Sequence, residues 1–415
     1  MQISIPKPVN LLVDRLESAG FEVFCVGGCV RDSLLGREPG DWDLATSALP
    51  HQTEAVFTGW QVVGTGRKHG TLTVISEGNP VEITTFRRDG VYRDGRHPEQ
   101  VTFTPRLADD LARRDFTVNA LAFSPRTGII DRFDGLDDLR NKLIRAVGDP
   151  ARRFEEDALR IVRALRFAST LGFSVEPATA SALRNQFRLL EKVSAERLFS
   201  ELCKLVCGEH ADAVVRQFPE VIALLTGAFS PDGVQLHLLP ARPGVRLAML
   251  MHRFSPAQAD AALLRLKADN ATRRTVVALL SRRDQPLPVS RTGVRRLLSE
   301  LGVQPLRELL DFQAALGRET GPAQQNLQQV LTDGDCWNLG MLAVNGRDLL
   351  SVGVPAGREL GAVLRFLLVQ VIEGRLPNRK PELLHAAAEA LPLDPATFAG
   401  GSGAGAKVDE TFGLG

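Results

Sequence analysis

FCVGGCVRDSLLGREPGDWD, residues 24–43, decides how the chain is read. Phe21 to Val26 is a short apolar run with the length and composition of a buried strand. It ends in Gly27-Gly28, where missing side chains let backbone N–H groups approach an anion. Val30 to Leu35 can begin a helix there, and Gly36 with Pro39-Gly40 turns the chain back. Asp41-Trp42-Asp43 then enters a second strand-like run. On a strand, positions 41 and 43 share a face, because side chains alternate. Two carboxylates on one face repel unless a cation lies between them, and oxygen ligands of this kind suit Mg²⁺ held together with substrate phosphates.

Outward from this stretch, Pro8 to Ala19 carries apolar residues at 9, 12, 13 and 16, a helical stripe that stops at Gly20. Ser47 to Phe57 reads as a short helix. Trp60 to Val63, Thr71 to Ser76 and Val81 to Phe86 read as strands, the last two joined as a hairpin at Gly78-Asn79. In VEITTF (81–86), Glu82 sits mid-strand and is a candidate third carboxylate beside Asp41 and Asp43. RRDGVYRDGRHPEQ (87–100) is charged and glycine-hinged, and is expected to be a mobile loop. Asp109 to Ala122 reads as a helical turn, a loop and a second helix, clustering Arg113, Arg114, Asp115 and Asn119. Ile129 to Asp131 and Leu143 to Ala146 are expected to be closing strands around the linker DGLDDLRNK.

Beyond Gly148 strand-like alternation nearly vanishes, and helical stripes dominate to residue 395. DPARRFEEDALRIVRALRFASTL (149–171) repeats Arg160, Arg163 and Arg166 every three residues, with Asp157 one turn before Arg160. Ser194 to Cys207 is a capped helix with Ser194 and Arg197 at its start. Prolines then divide a run of amphipathic helices, and NGRDLLSVGVPAGRELGAVLRFLLVQVIEGRLPN (345–378) joins a turn to a long apolar helix. Ala399 to Gly415 reads as a disordered tail.

At 415 residues the chain exceeds a single core. A net charge of +1 announces no global basic field, so any nucleic-acid surface must come from local clustering of arginine. The five cysteines form no CxxC and read as reduced core residues. The start MQISIPKPVN has no signal-peptide pattern and no apolar run is long enough to cross a membrane, so the cytoplasm is the expected compartment.

The ordered set GGCVRD (27–32), DWD (41–43), RRDFTVNALAF (113–123), IIDRFDGLDDL (129–139), RFEEDALRIVRALRFAS (153–169) and AERLFSEL (195–202) resembles the tRNA CCA-adding enzymes of bacterial class II within the poly(A) polymerase family. The segment around NGRDLL (345–350) is similar to the tail of those enzymes. The resemblance implies an α+β chain: a nucleotidyltransferase palm of the polymerase-β type, with a five-stranded sheet, over 1–147, then an all-α neck (148–207), body (208–300) and tRNA-binding tail (301–398), with 399–415 disordered.

It also implies roles. Asp41 and Asp43 hold Mg²⁺ ions, with Glu82 a further catalytic carboxylate. Gly27, Gly28 and Arg31 meet the nucleotide phosphates, Arg114 the triphosphate or sugar, and Asp115 and Asn119 stand with them. Asp157 and Arg160 present a hydrogen-bonding edge to the base, and Arg163 and Arg166 complete a basic stripe. The reaction implied is attack of the tRNA 3′-hydroxyl on the α-phosphate of CTP or ATP, with two metal ions sharing the charge. Arginine donors suit cytosine O2 and N3 or adenine N1, while an aspartate accepts from the exocyclic amine, so UTP and GTP leave a partner unpaired. Poly(A) polymerase, a split-function enzyme adding only A or only CC, and an RNA-binding protein with a decayed site are the alternatives. VVGTGRKHGTLTV (62–74) favours the CCA-adding form over the first, and intact Asp41, Asp43, Asp157 and Arg160 oppose the last. The full-length loop 87–100 fits enzymes that add A, whether the whole CCA or A alone.

Overall fold

The computed structural model describes residues 3–89 and 101–389. By internal packing the chain divides into two compact units, between Ser281 and Arg282.

The first unit opens with α1 (Lys7–Ser18), whose buried residues Val9, Leu12, Val13 and Leu16 are the predicted stripe. Next come β1 (Val23–Val26), α2 (Gly28–Leu34), β2 (Asp43–Thr46), α3 (Pro50–Val56), β3 (Val62–Val63), β4 (Thr71–Ser76) and β5 (Asn79–Thr85). β4 and β5 meet at Ser76↔Asn79, so the turn is Glu77-Gly78. Both have positive φ, 48° and 82°, as a two-residue hairpin of this hand requires.

Asp89 does not belong to an open loop. β6 (Arg87–Asp89) pairs antiparallel with β7 (Val101–Phe103), so the expected loop has a ribbon at its base. Its remainder, 90–100, lies outside the described residues, as does the expected disordered tail 399–415.

α4 (Leu107–Ala112) is followed by a single 3₁₀ turn at Thr117–Asn119 and then β8 (Leu121–Ser124), where a second helix was expected. Leucine and alanine favour a helix locally, but pairing with β1 on one side and β9 (Gly128–Asp131) on the other overrides that preference. The expected linker 134–142 contains α5 (Gly135–Asn141). Asp131 starts it by accepting from the N–H groups of Phe133, Gly135 and Leu136.

Among the described residues the main sheet has seven strands, in the order β3-β4-β5-β2-β1-β8-β9, rather than five. The edge strands β3, paired to β4 at two positions, and β9, paired to β8 at four, account for the greater width. All neighbours are antiparallel except β2 and β5. β10 (Leu143–Ile144) does not close this sheet. It pairs in parallel with β11 (Ser174–Val175), across the composition change near Gly148.

The helical part begins with α6 (Pro150–Glu156) and α7 (Leu159–Leu171), two helices where one continuous stripe was read. Asp157 interrupts them with an extended backbone, φ −144° and ψ 101°, and its Oδ1 accepts the N–H of Leu159. α8 (Pro177–Gln186) and α9 (Ala195–Val206) follow, and α9 packs along α7. Ser194 stands at the start of α9 but makes no capping bond through its side chain. α10 (Ala211–Gln217), α11 (Pro219–Thr226), α12 (Pro243–Leu250), α13 (Pro256–Arg265) and α14 (Asn270–Ser281) complete the unit. Three of these open on proline, which lacks the N–H that a first turn would leave unbonded.

The second unit contains α15 (Arg291–Leu301), α16 (Val303–Ala315), α17 (Gly321–Thr332), α18 (Gly346–Ser351), α19 (Arg358–Ile372) and α20 (Lys380–Glu389). Asn345 caps α18 by accepting from Arg347 and Asp348 N–H. Val363, Leu367, Leu368, Val371 and Ile372 of α19 join the core around Leu349 and Leu383. No helix among the described residues is long and apolar enough to cross a membrane. The cysteines are free thiols. Burial pushes Cys203 up to about 12 and Cys29 up to about 11.

Candidate active site

Strand β2 enters the middle of the sheet between β1 and β5. Trp42 is buried while Asp41 is exposed and Asp43 half-buried, so the predicted alternation holds although the strand itself begins at Asp43. Asp43 lies in register with Glu82 on the parallel neighbour β5, and paired positions on adjacent strands project from the same face. Burial pushes the Asp43 carboxyl up to about 6, the charges of Asp41 and Glu82 push it in the same direction, and Arg114 opposes them. The three carboxylates therefore form one electrostatic cluster. Among the described residues no three of them close into a ready-made metal cage. A pair of carboxylates completed by substrate oxygens is the arrangement Mg²⁺ ordinarily takes.

One step from this cluster, β1 runs into Gly27. Its φ of 78° and ψ of −127° suit glycine, and a Cβ added there would come 2.9 Å from Arg114 Nη1. The Gly27 N–H is bonded to Leu121 O on β8. Arg114 comes off α4, where Arg113 and Arg114 both bond the fully buried Asp110. Burial raises the Asp110 pKa, but the two guanidinium charges outweigh it and hold the carboxyl below its usual range. The Nε of Arg114 is buried and has no hydrogen-bond partner among the described residues. Asp110 also accepts the N–H of Arg87, and Asp109 pairs with Arg88, so α4 ties the ribbon base to the same place.

From Gly28 a continuous polar chain runs into the helices. Arg31, 8% exposed, grips Asp32 through Nε and Nη2 and donates from Nη1 to Asn119 Oδ1. Asn119 Nδ2 donates to Asp115 Oδ1 at 3.1 Å. The other oxygen of Asp115 receives Arg163 through Nε at 2.9 Å and Nη2 at 2.6 Å. Burial raises the Asp115 pKa, but Arg163 and the Asn119 bond outweigh it and hold it far below the carboxylate range. Arg163 then reaches Glu201 on α9 at 3.8 Å, and Arg166 bonds Glu201 Oε2 at 2.9 Å. The ring of Phe167 lies beneath three guanidinium groups, with Arg166 at 3.6 Å, Arg31 at 5.1 Å and Arg163 at 5.3 Å.

The predicted base-reading pair is arranged differently from its spacing. Arg160 is buried and donates to Arg113 O, Arg153 O and Glu156 Oε2. Asp157 caps α7 with Oδ1 and accepts Arg197 Nη2 at its Oδ2, 2.9 Å away. The sequence therefore brings Asp41, Asp43 and Glu82 together, joins Arg31, Asn119, Asp115, Arg163 and Arg166 in one network, and leaves Asp157 and Arg160 bonded to other groups. Glu201 and Arg197 were missed as members. Their signal was one of spacing: in AERLFSEL they lie one turn apart on the helix that faces α7.

Three families match this chain: Poly A polymerase head domain over residues 23–145, Probable RNA and SrmB- binding site of polymerase A over 172–221, and tRNA nucleotidyltransferase domain 2 putative over 245–387. The CCA-adding enzyme of Limosilactobacillus fermentum is 36% identical over 399 residues, covering 93% of this chain and 97% of that protein. That of Levilactobacillus brevis is 37% identical over 403 residues, with the same coverage. Among solved structures, the Bacillus stearothermophilus CCA-adding enzyme in complex with CTP superposes with a TM-score of 0.77 and 32% identity, covering 93% of this chain and 98% of that one. Identity above 30% along nearly the whole length of these relatives shows that the chain belongs to the family of CCA-adding enzymes.

Proposed function

We propose that this protein adds CCA to the 3′ end of tRNA, taking CTP and ATP in turn without a nucleic-acid template. The observation that carries the reading is the under-neutralised cluster of Asp41, Asp43 and Glu82 beside Gly27 and Arg114. Like charges kept this close, one of them with its pKa raised to about 6, suit a site completed by a cation and an anionic substrate.

Asp41 and Asp43 are the residues to hold divalent cations, taken here as Mg²⁺, with Glu82 adding negative charge on the neighbouring strand. Such ions, when bound, lower the pKa of an attacking hydroxyl and offset charge on the departing oxygens. The chain's own residues do the rest. Arg114 turns its unpartnered Nε toward a phosphate oxygen, and Gly27 leaves room for it to do so. Arg31, Arg163 and Arg166 are held in place by Asn119, Asp115 and Glu201, so they face the triphosphate without reorganising when it arrives. Asp157 and Arg160 read the base. Arg160 exchanges one of its bonds to Arg113 O, Arg153 O or Glu156 for an acceptor on cytosine or adenine. The segment 301–398 is assigned to tRNA, and the cytoplasm to the whole protein.

The deciding experiment extends matched tRNAs ending at the discriminator base, at C, or at CC, with each nucleoside triphosphate alone. CTP should serve the first two ends and ATP the third. Addition to the CC end only would identify an A-adding enzyme, and long homopolymeric tails a poly(A) polymerase. Arg160→Ala should relax the choice of base more than it weakens triphosphate binding. An unchanged preference against UTP and GTP would remove Arg160 from the reading.

A further inference from the structure

Resting on that reading, we propose that Arg197 is the third member of the base-reading set: it fixes the accepting edge of Asp157 and completes the nucleotide pocket with a donor of its own. The spacing of Asp157 and Arg160 suggests a self-contained pair, but the structure divides their tasks. Of Asp157's two oxygens, Oδ1 is committed to Leu159 N–H at the start of α7. Oδ2 is the one left for a ligand, and Arg197 Nη2 holds it at 2.9 Å. Arg160 meanwhile gives its N–H groups to two backbone carbonyls and a carboxylate.

Arg197 reaches Asp157 from the first turn of α9, forty residues away in sequence. Its Nη1 is buried with no hydrogen-bond partner among the described residues. A buried guanidinium N–H left unbonded is unfavourable, and an acceptor arriving with the substrate relieves it. Nη1 and Asp157 Oδ2 thus set a donor beside an acceptor. Cytosine presents an exocyclic amine next to ring N3, and adenine presents its amine next to N1, so both match this order. Uracil presents a carbonyl next to an N–H, which reverses it. Arg197 acts on the base chiefly through Asp157 and is in that respect a positioning residue.

The test measures incorporation of CTP against UTP on tRNA ending at the discriminator base, for the full-length parent, Arg197→Ala, Arg197→Lys, Asp157→Asn and the Arg197→Ala/Asp157→Asn double variant. Arg197→Ala should lower the preference for CTP by about tenfold, a loss expected when one buried polar group is left unpaired. Arg197→Lys, which keeps the charge but not the fork, should fall between it and the parent. In the Asp157→Asn background the same alanine change should have a much smaller effect, about twofold or less, because its main route to the base, through Asp157, is already gone. A general loss of packing would not follow that pattern. The proposal is overturned if Arg197→Ala, or Arg197→Lys should the alanine variant fail to fold, keeps the parent preference. It is also overturned if the alanine change has the same effect in both backgrounds. A parent that takes UTP as readily as CTP overturns the CCA-adding reading and this proposal together.

Discussion

At the head of β2, Asp43 stands among Asp41 and Glu82 with Arg114 as the opposing charge, whereas along α7 every guanidinium is met by an acceptor. The first region keeps negative charge in surplus where the sheet half-buries it. The second buries more charge but balances it, Asp115 against Arg163 and Glu201 against Arg166. A surplus that folding leaves unresolved marks where a ligand supplies what is missing. A closed network marks where the protein has already fixed its geometry and asks only that a partner fit it. The two therefore predict opposite responses to the loss of a charge.

The largest difference should appear in catalysis. Asp41→Ala and Asp43→Ala should each lower addition of C and of A by about 10³-fold or more, since on the proposed reading several kcal/mol of charge stabilisation depend on the ions assigned to them. Filter binding of tRNA should be preserved. Substantial Mg²⁺-dependent turnover in either variant would break the contrast at its first term.

Glu201→Gln tests the other side. It leaves Arg166 with an uncompensated, largely buried charge while Arg163 keeps Asp115, and should destabilise the protein by about 3 kcal/mol in chemical denaturation. An unaltered midpoint would mean that the α7 network is not balanced as drawn.

Asp43→Asn should do the reverse and stabilise. Between the ordinary 3.8 and about 6, the folded protein holds a proton on Asp43 that the unfolded chain has released. Stability from this group is thus present at low pH and is lost as pH rises through that window. Above pH 6 the asparagine variant should be more stable by up to about 3 kcal/mol, at about 1.4 kcal/mol per pKa unit, and the advantage should close below the lower limit. A melting difference independent of pH would sink the account of the cluster.

The smallest effect belongs to the junction between the regions. Gly27→Ala should cost about 1–2 kcal/mol for its positive φ, and should raise KM for both nucleotides by displacing Arg114. Equal KM values in parent and variant would show that Arg114 has no part in triphosphate binding.

Legibility in the sequence followed the same division. The apolar stripe of α1, the β4–β5 hairpin and the shared face of Asp41 and Asp43 rest on neighbours a few residues apart, and local pattern reveals such things. Leu121 and Ala122 read as the end of a helix because their strand state is created by β1, nearly a hundred residues earlier. Leu143–Ile144 looked like a strand but found its partner at Ser174–Val175, where the pattern had turned helical. The interruption at Asp157 is hidden because Asp157 stands one turn before Arg160, at the same helical spacing as the arginine period that follows. Likewise the period of Arg160, Arg163 and Arg166 said nothing of Arg113 O, Asp115 or Glu201, which meet them across 47, 48 and 35 residues.

Those long reaches bear on how the protein can be taken apart. The change of composition near Gly148 invites a chimera, with one relative's sheet joined to another's helices. Yet Asp115 and the carbonyl of Arg113 lie before that point, Arg163 and Arg160 after it, and β10 pairs with β11 across it. A graft made there would separate each charge from the partner it evolved with. A joint between Ser281 and Arg282, where the compact units divide, leaves every one of these pairs inside a single parent. The functional module for recombination is therefore the sheet together with the helices of the first unit, α6 to α14, and modularity in this chain follows its ion pairs rather than its secondary structure.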